Sequence, residues 1–88
     1  MTASTFMPVI ETKAASYSAY STVSIRKVIG DGVRLRKEGW SQGTVLELMY
    51  RGEKVYFYDD ILGSDPEYNY MRRDSTKTYG YVDHHYVR

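Results

Sequence analysis

Short runs of alternating hydrophobic and polar residues continue from about residue 23 to the end of the chain. Residues 33–36 alternate apolar and charged side chains, which is typical of a half-buried strand. Residues 55–58 are all β-branched or aromatic and form the strongest predicted strand. The pattern also predicts extended segments at 23–29, 68–72 and 79–82, a closing segment at 85–87, and either a strand or a single helical turn at 44–50.

Turn signals separate these segments. Residues 30–32 (Gly-Asp-Gly) favour a tight turn, and 51–53 and 74–77 are also predicted turns. Residues 37–43 and 59–67 are predicted loops, the first with Trp40 at its tip and the second rich in acidic residues. Five or six short strands at a spacing of about ten residues predict an all-β domain, either a small barrel or a sandwich.

Residues 1–24 differ in composition from the rest of the chain. They are rich in Ser, Thr and Ala, and Glu11 and Lys13 are their only charged residues. This stretch is predicted to be a flexible N-terminal arm preceding a single domain at 25–88. An alternative is the remnant of a secretory processing region ending near 12–15, although no basic segment precedes it and its apolar part is short.

Composition narrows the classes of function. The net charge is +1 and cysteine is absent, so neither a nucleic-acid-binding field nor a disulfide framework is expected. No run reaches the roughly 18 apolar residues of a membrane span. The ten tyrosines stand against two Phe and one Trp, and tyrosine suits both strands and contact surfaces.

The order of several short motifs resembles that of bacterial SH3-like (SH3b) domains. Residues 32–36 (GVRLR) resemble the family's opening strand, and 45–55 its central V-x-x-x-L and K-G-D-x-V segments. Residues 68–72 (YNYMR) stand where the family has W-Y-K-V, and 80–87 resemble its closing G-W-V and Y-V. The resemblance implies a small SH3-like barrel of five to six antiparallel strands over residues 25–88.

The predicted barrel has one apolar cluster, and the chain departs from the family at three points. Tyr68 and Tyr81 replace the usual Trp residues, Trp40 occupies a loop of small residues, and the 59–67 loop is long and acidic. The expected core consists of Val33, Leu35, Val45, Leu48, Val55, Phe57, Met71 and Val82.

No catalytic constellation is recognisable, so no enzymatic activity, cofactor or metal is expected. Asp83-His84-His85 is the only histidine cluster, and neighbouring residues in a strand point to opposite faces. A structural zinc site usually has four Cys or His ligands, whereas this chain has two His and no Cys.

The resemblance implies a non-catalytic binding or targeting module of a secreted bacterial protein that recognises peptidoglycan peptide or another cell-wall ligand. Its location would be extracellular or in the cell wall, and it would be a monomer or a weak homo-oligomer. One alternative is a cytoplasmic protein–protein interaction module with a host or phage partner. Another is a structural domain that packs against a catalytic domain of a longer protein.

The expected ligand groove lies between the 37–43 and 59–67 loops. If Phe57 is in the core, Tyr56 and Tyr58 share the opposite face and are exposed. Acidic residues of the second loop would suit a cationic group such as a diamino acid side chain. The candidate ligand-binding residues are Trp40, Tyr56, Tyr58, Asp59, Asp60, Glu67, Tyr68, Tyr70 and Tyr81.

Overall fold

A computed structural model describes residues 22–88, which form one six-stranded antiparallel sheet. The strands are β1 (Val23–Lys27), β2 (Val33–Arg36), β3 (Val45–Met49), β4 (Lys54–Leu62), β5 (Tyr68–Arg73) and β6 (Tyr79–Asp83), followed by a 3₁₀ helix (His84–Tyr86). No helix within residues 22–88 is long and apolar enough to cross a membrane. Most of the predicted arm, with its processing region, lies outside the described residues.

The order of strands in the sheet is β1-β4-β5-β6-β2-β3. Two backbone hydrogen bonds continue the pairing of β1 with β4 into the turn between β3 and β4: Val28 N–H donates to the carbonyl of Glu53, and Gly52 N–H donates to the carbonyl of Val28. Val28 also forms a bridge with Val87 at the chain end. The result is an all-β, barrel-like fold, which confirms the fold class predicted from the pattern of strands.

Inward-facing side chains of the strands form one core together with Val28 and Val87, which lie just outside the strands. Its members are Val28, Val33, Leu35, Met49, Val55, Phe57, Met71, Val82 and Val87. The prediction was wrong for Val45 and Leu48, whose exposed fractions are each 43%. The register places Met49 opposite Val33, so Met49 points inward and Leu48 outward.

Three predicted segments can be compared with the strands in detail. Residues 44–50 contain a strand, the first of the two predicted alternatives. β1 begins at Val23, as predicted for the 23–29 segment, although this is before the predicted domain start at residue 25. The prediction of a loop at 59–67 was wrong over its first four residues, because β4 continues to Leu62. There Asp59 N–H donates to the carbonyl of Thr22, and Leu62 pairs with Asn69.

A charge cluster around Arg73 connects the edge strand β3 to β5. The Arg73 guanidinium contacts both carboxylate oxygens of Glu53 at 2.7 and 2.8 Å and Glu47 Oε1 at 2.9 Å. Hydroxyl donation from Thr78, with further help from Arg73, lowers the pKa of Glu47. The pKa of Glu53 is also lowered, mainly by its hydrogen bonds with Arg73. Both carboxylates are therefore held in the charged form.

Candidate functional site

Four tyrosines form a ring cluster on the face of the sheet opposite the core. The rings of Tyr70 and Tyr79 are stacked with centroids 5.8 Å apart, and those of Tyr70 and Tyr81 are 5.1 Å apart. Tyr58 lies 5.5 Å from Tyr70 and 6.5 Å from Tyr79. The cluster arises because β4, β5 and β6 are neighbours and each places tyrosines on the same face.

The expected exposed pair of Tyr56 and Tyr58 does not exist. Phe57 is in the core as expected, but only 6% of Tyr58 is exposed because its neighbours in the cluster cover it. Burial, with a smaller contribution from Tyr79, raises the pKa of Tyr58. Tyr56 is half-buried beneath the guanidinium of Arg72, 4.5 Å from its ring centroid. Neighbouring side chains therefore cover Tyr58 almost completely and Tyr56 in part.

The two loops that were expected to flank a groove contact each other. Asp65 N–H and the Ser64 hydroxyl both donate to the carbonyl of Gly39, at 3.0 and 3.4 Å. No groove separates the loops at this point. Trp40, beside Gly39, is 45% exposed and makes no ring contact with another residue in the 22–88 range.

The predicted acidic residues do not form a single site. Asp59 accepts from Arg26 at 2.9 Å and from Ser24, and Asp60 accepts from the Thr22 N–H at 3.2 Å. Both carboxylates therefore bind β1 and the residue before it. Glu67 instead faces the histidines near the chain end.

The two histidines belong to the short 3₁₀ helix, and this corrects the argument from strand alternation. Their ring centroids are 4.5 Å apart. The Asp83 carboxylate contacts Nδ1 of His85 at 2.7 Å and raises the pKa of His85. The two imidazoles therefore lie on one side of the chain, next to Glu67.

A surface cavity of about 430 Å³ lies between the 30–32 turn, β2 and the end of β6. Its lining consists of Gly30, Asp31, Gly32, Val33, Arg34, Arg36, Tyr68, Asp83 and Tyr86. Of the nine predicted site residues, only Tyr68 contributes to it. The volume lies within the roughly 300–1,000 Å³ that small-ligand sites occupy.

The charged groups of the cavity differ in how they are bound. Arg36 donates to the carbonyl of Gly43 at 2.7 Å, and Asp31 accepts from the backbone N–H of Arg51 at 3.0 Å. The Arg34 side chain is exposed and has no hydrogen-bond or ion-pair partner within residues 22–88. Its guanidinium is therefore available to a ligand.

Arg34, Arg36 and Tyr86 were not identified as site residues from the sequence. The alternation of 33–36 does place both arginines on one face, opposite Leu35, and that signal was interpreted as a solvated surface. Their proximity to Tyr68 follows from the pairing of β2 with β6 and of β6 with β5. Tyr86 belongs to the 3₁₀ helix that directly follows β6.

Comparison with known proteins yields no match, whether against family models, curated proteins or solved structures. The class of this chain is therefore defined by its own fold and site: a small all-β, barrel-like domain with a polar surface cavity.

Proposed function

We propose that this domain is a non-catalytic binding module that holds an extended peptide in the cavity between the 30–32 turn and the C-terminal 3₁₀ helix. The observation that carries the proposal is the unpaired guanidinium of Arg34 in a cavity that Tyr68 and Tyr86 also line. An arginine fork binds carboxylates in a bidentate manner, and tyrosine supplies a flat contact surface with a hydroxyl.

The cavity suits a ligand that carries charges of both signs. Arg34 and Arg36 provide two guanidinium groups, and Asp31 and Asp83 provide two carboxylates. A peptide with a free carboxylate and a free amine would match the guanidinium groups with the first and the carboxylates of the cavity with the second. A purely anionic or purely cationic polymer would meet repulsion from one of the two pairs.

Peptidoglycan stem peptide has this chemistry, because it combines carboxylates with a diamino acid. The resemblance of residues 25–88 to bacterial SH3-like domains supports the same ligand. In this proposal the domain belongs to a secreted bacterial protein and acts in the cell wall.

Strand β3 favours a second candidate, a protein–protein interaction module. It is the last strand of the sheet, and Val45, Leu46 and Leu48 are each more than 40% exposed. An edge strand with exposed apolar side chains can accept a strand from a partner. The same domain would then act as an adaptor for another protein.

Co-sedimentation with purified peptidoglycan sacculi tests the first proposal. The wild-type chain should pellet with sacculi, and Arg34→Ala should weaken binding by about tenfold or more, as expected for the loss of a charged hydrogen bond of about 1.4 kcal/mol or more. Free stem peptide should compete with the sacculi for the wild-type domain.

Arg51→Ala is the matched control, because the Arg51 side chain is also exposed and unpaired but does not line the cavity. It should bind as the wild type does, and so should Trp40→Ala. Loss of binding in Trp40→Ala alone would place the ligand at the 37–43 loop. Absence of wild-type sedimentation would reject the wall ligand in favour of a protein partner.

A further inference from the structure

Glu67, His84 and His85 bring three potential metal ligands together outside the cavity. One ligand atom from each residue lies within 4.8 Å of the other two. Glu67 Oε1 is 3.3 Å from Nε2 of His85 and 3.7 Å from Nε2 of His84. The β4–β5 loop supplies the carboxylate and the 3₁₀ helix supplies both imidazoles, so only the folded chain assembles the group.

The spacing fits a tetrahedral ion. Zinc binds histidine nitrogen and carboxylate oxygen at about 2.0–2.2 Å, so two ligand atoms at the tetrahedral angle lie about 3.4 Å apart. The two measured separations from Glu67 Oε1 are close to this value. The ligand atoms of His84 and His85 lie within 4.8 Å of each other.

The outer hydrogen bonds orient both imidazoles for metal binding. Nδ1 of His85 contacts the Asp83 carboxylate at 2.7 Å, and Nδ1 of His84 contacts Oδ1 of Asn69 at 3.2 Å. Asn69 is 5% exposed, and its Nδ2 donates to the carbonyl of Asp59 at 3.3 Å, which leaves Oδ1 as the acceptor facing His84. In the tautomer with the proton on Nδ1, each ring presents its Nε2 lone pair towards Glu67.

Such supporting contacts are the usual outer shell of histidine metal sites. We propose that Glu67, His84 and His85 bind one divalent transition-metal ion, with zinc as the best fit to their ligand types and spacing. Three protein ligands leave a coordination position for solvent or for a donor atom from a bound molecule.

Calorimetric titration of the untagged 88-residue chain with Zn²⁺ tests this site directly. The wild type should bind one ion per chain saturably in neutral buffer, and Co²⁺ should produce the visible absorption bands of a tetrahedral complex. Zn²⁺ should also raise the unfolding midpoint of the wild type, because the three ligands converge only in the native state.

His84→Gln and His85→Gln should each abolish the cobalt bands and the thermal shift while leaving the circular dichroism spectrum unchanged, since both side chains lie at the surface. Asp83→Asn retains the three ligands and should weaken binding by about 10- to 100-fold. Asp60→Asn is the control, because it removes a carboxylate that lies outside the three-ligand group. This variant should bind Zn²⁺ as the wild type does.

Two results would overturn the proposal. One is the absence of saturable Zn²⁺ and Co²⁺ binding by the folded wild type, which would make the cluster an ion pair only. The other is wild-type affinity in His84→Gln and His85→Gln, which would place the ion elsewhere on the chain. The titration, the cobalt spectrum and the thermal shift are all measured without a peptide ligand. Their outcome is therefore independent of the proposed peptide-binding function.

Discussion

Gly39 and Gly63 meet backbone to backbone and join the 37–43 loop to the segment that follows β4. A Cβ atom at position 39 would lie 2.4 Å from the Cα of Gly63 and 2.9 Å from the ring of Tyr81. A Cβ atom at position 63 would lie 2.4 Å from the carbonyl oxygen of Gly39. Only glycine at both positions lets the two loops pack together over Tyr81.

Gly39→Ala should therefore destabilise the domain, because the Gly63 backbone and the Tyr81 ring are too confined to move away from the added methyl group without cost. We expect a loss of about 2–3 kcal/mol in the free energy of unfolding, the range seen for overpacked interiors, measured by urea denaturation. Gly30→Ala is the control, since its nearest contact would be a methyl group of Val33 at 3.2 Å. Equal effects of the two substitutions would contradict the loop contact.

The register of β3 can be tested with two adjacent residues. Met49 is fully buried, whereas Leu48 is 43% exposed. Met49→Ala should lower the free energy of unfolding by about 2–4 kcal/mol, and Leu48→Ala by less than about 1 kcal/mol. The opposite order in chemical denaturation would mean that β3 is shifted by one residue, with Leu48 in the core as the sequence analysis predicted.

The Arg73 cluster should make the domain sensitive to acid. The pKa values of Glu47 and Glu53 are lowered from the ordinary value of 4.5, so the unfolded chain takes up protons first as the pH falls. The stabilisation is complete above that ordinary value and is lost as the pH falls through the folded-state pKa values. Urea denaturation at neutral pH and at several pH values below 4.5 should show this loss.

Arg73→Met removes the main cause of the lowered pKa of Glu53 and should make that acid dependence shallower. At neutral pH it should cost about 2 kcal/mol, less than the loss of one member of a fully buried ion pair. Lys77→Met, which breaks a more exposed ion pair with Asp74, is the control and should have little effect. An acid profile unchanged by Arg73→Met would show that other groups govern it.

The tyrosine cluster should produce a loss of stability at alkaline pH. The pKa of Tyr58 is raised above its ordinary value of 10.0, so the folded chain retains this proton after the unfolded chain has released it. The contribution of the Tyr58 hydroxyl to the free energy of unfolding is complete below pH 10.0 and declines as the pH rises towards the folded-state pKa. Tyr58→Phe should weaken the decline in denaturation experiments above pH 10.0. A Tyr58→Phe profile identical to the wild type would assign the decline to other tyrosines.

Much of the fold could be read from local patterns. Val33–Arg36 alternates strictly, and 55–58 contains only β-branched and aromatic residues, so both segments favour strands. The turn residues between strands have backbone preferences that do not depend on distant contacts. β3 could not be oriented in this way, because Leu48 and Met49 are both apolar and either could face inward.

The candidate sites depended on tertiary structure. Tyr58 and Tyr70 were correctly placed on strands, but their burial results from rings on neighbouring strands that the chain pattern does not reveal. The extension of β4 through Asp59 and Asp60 depends on a hydrogen bond to Thr22, far away in sequence.

The pattern of strands and turns is sufficient to predict an all-β domain, because periodicity and turn preference are local properties of the chain. Which polar groups meet depends instead on the folded arrangement of the strands. Arg34 reaches Tyr68 and Tyr86 through the order of β2, β6 and β5, and Glu67 reaches His84 and His85 because the chain end turns back beside the β4–β5 loop. Such contacts join residues far apart in sequence, so their geometry is set by strand order and packing, which local preference does not encode.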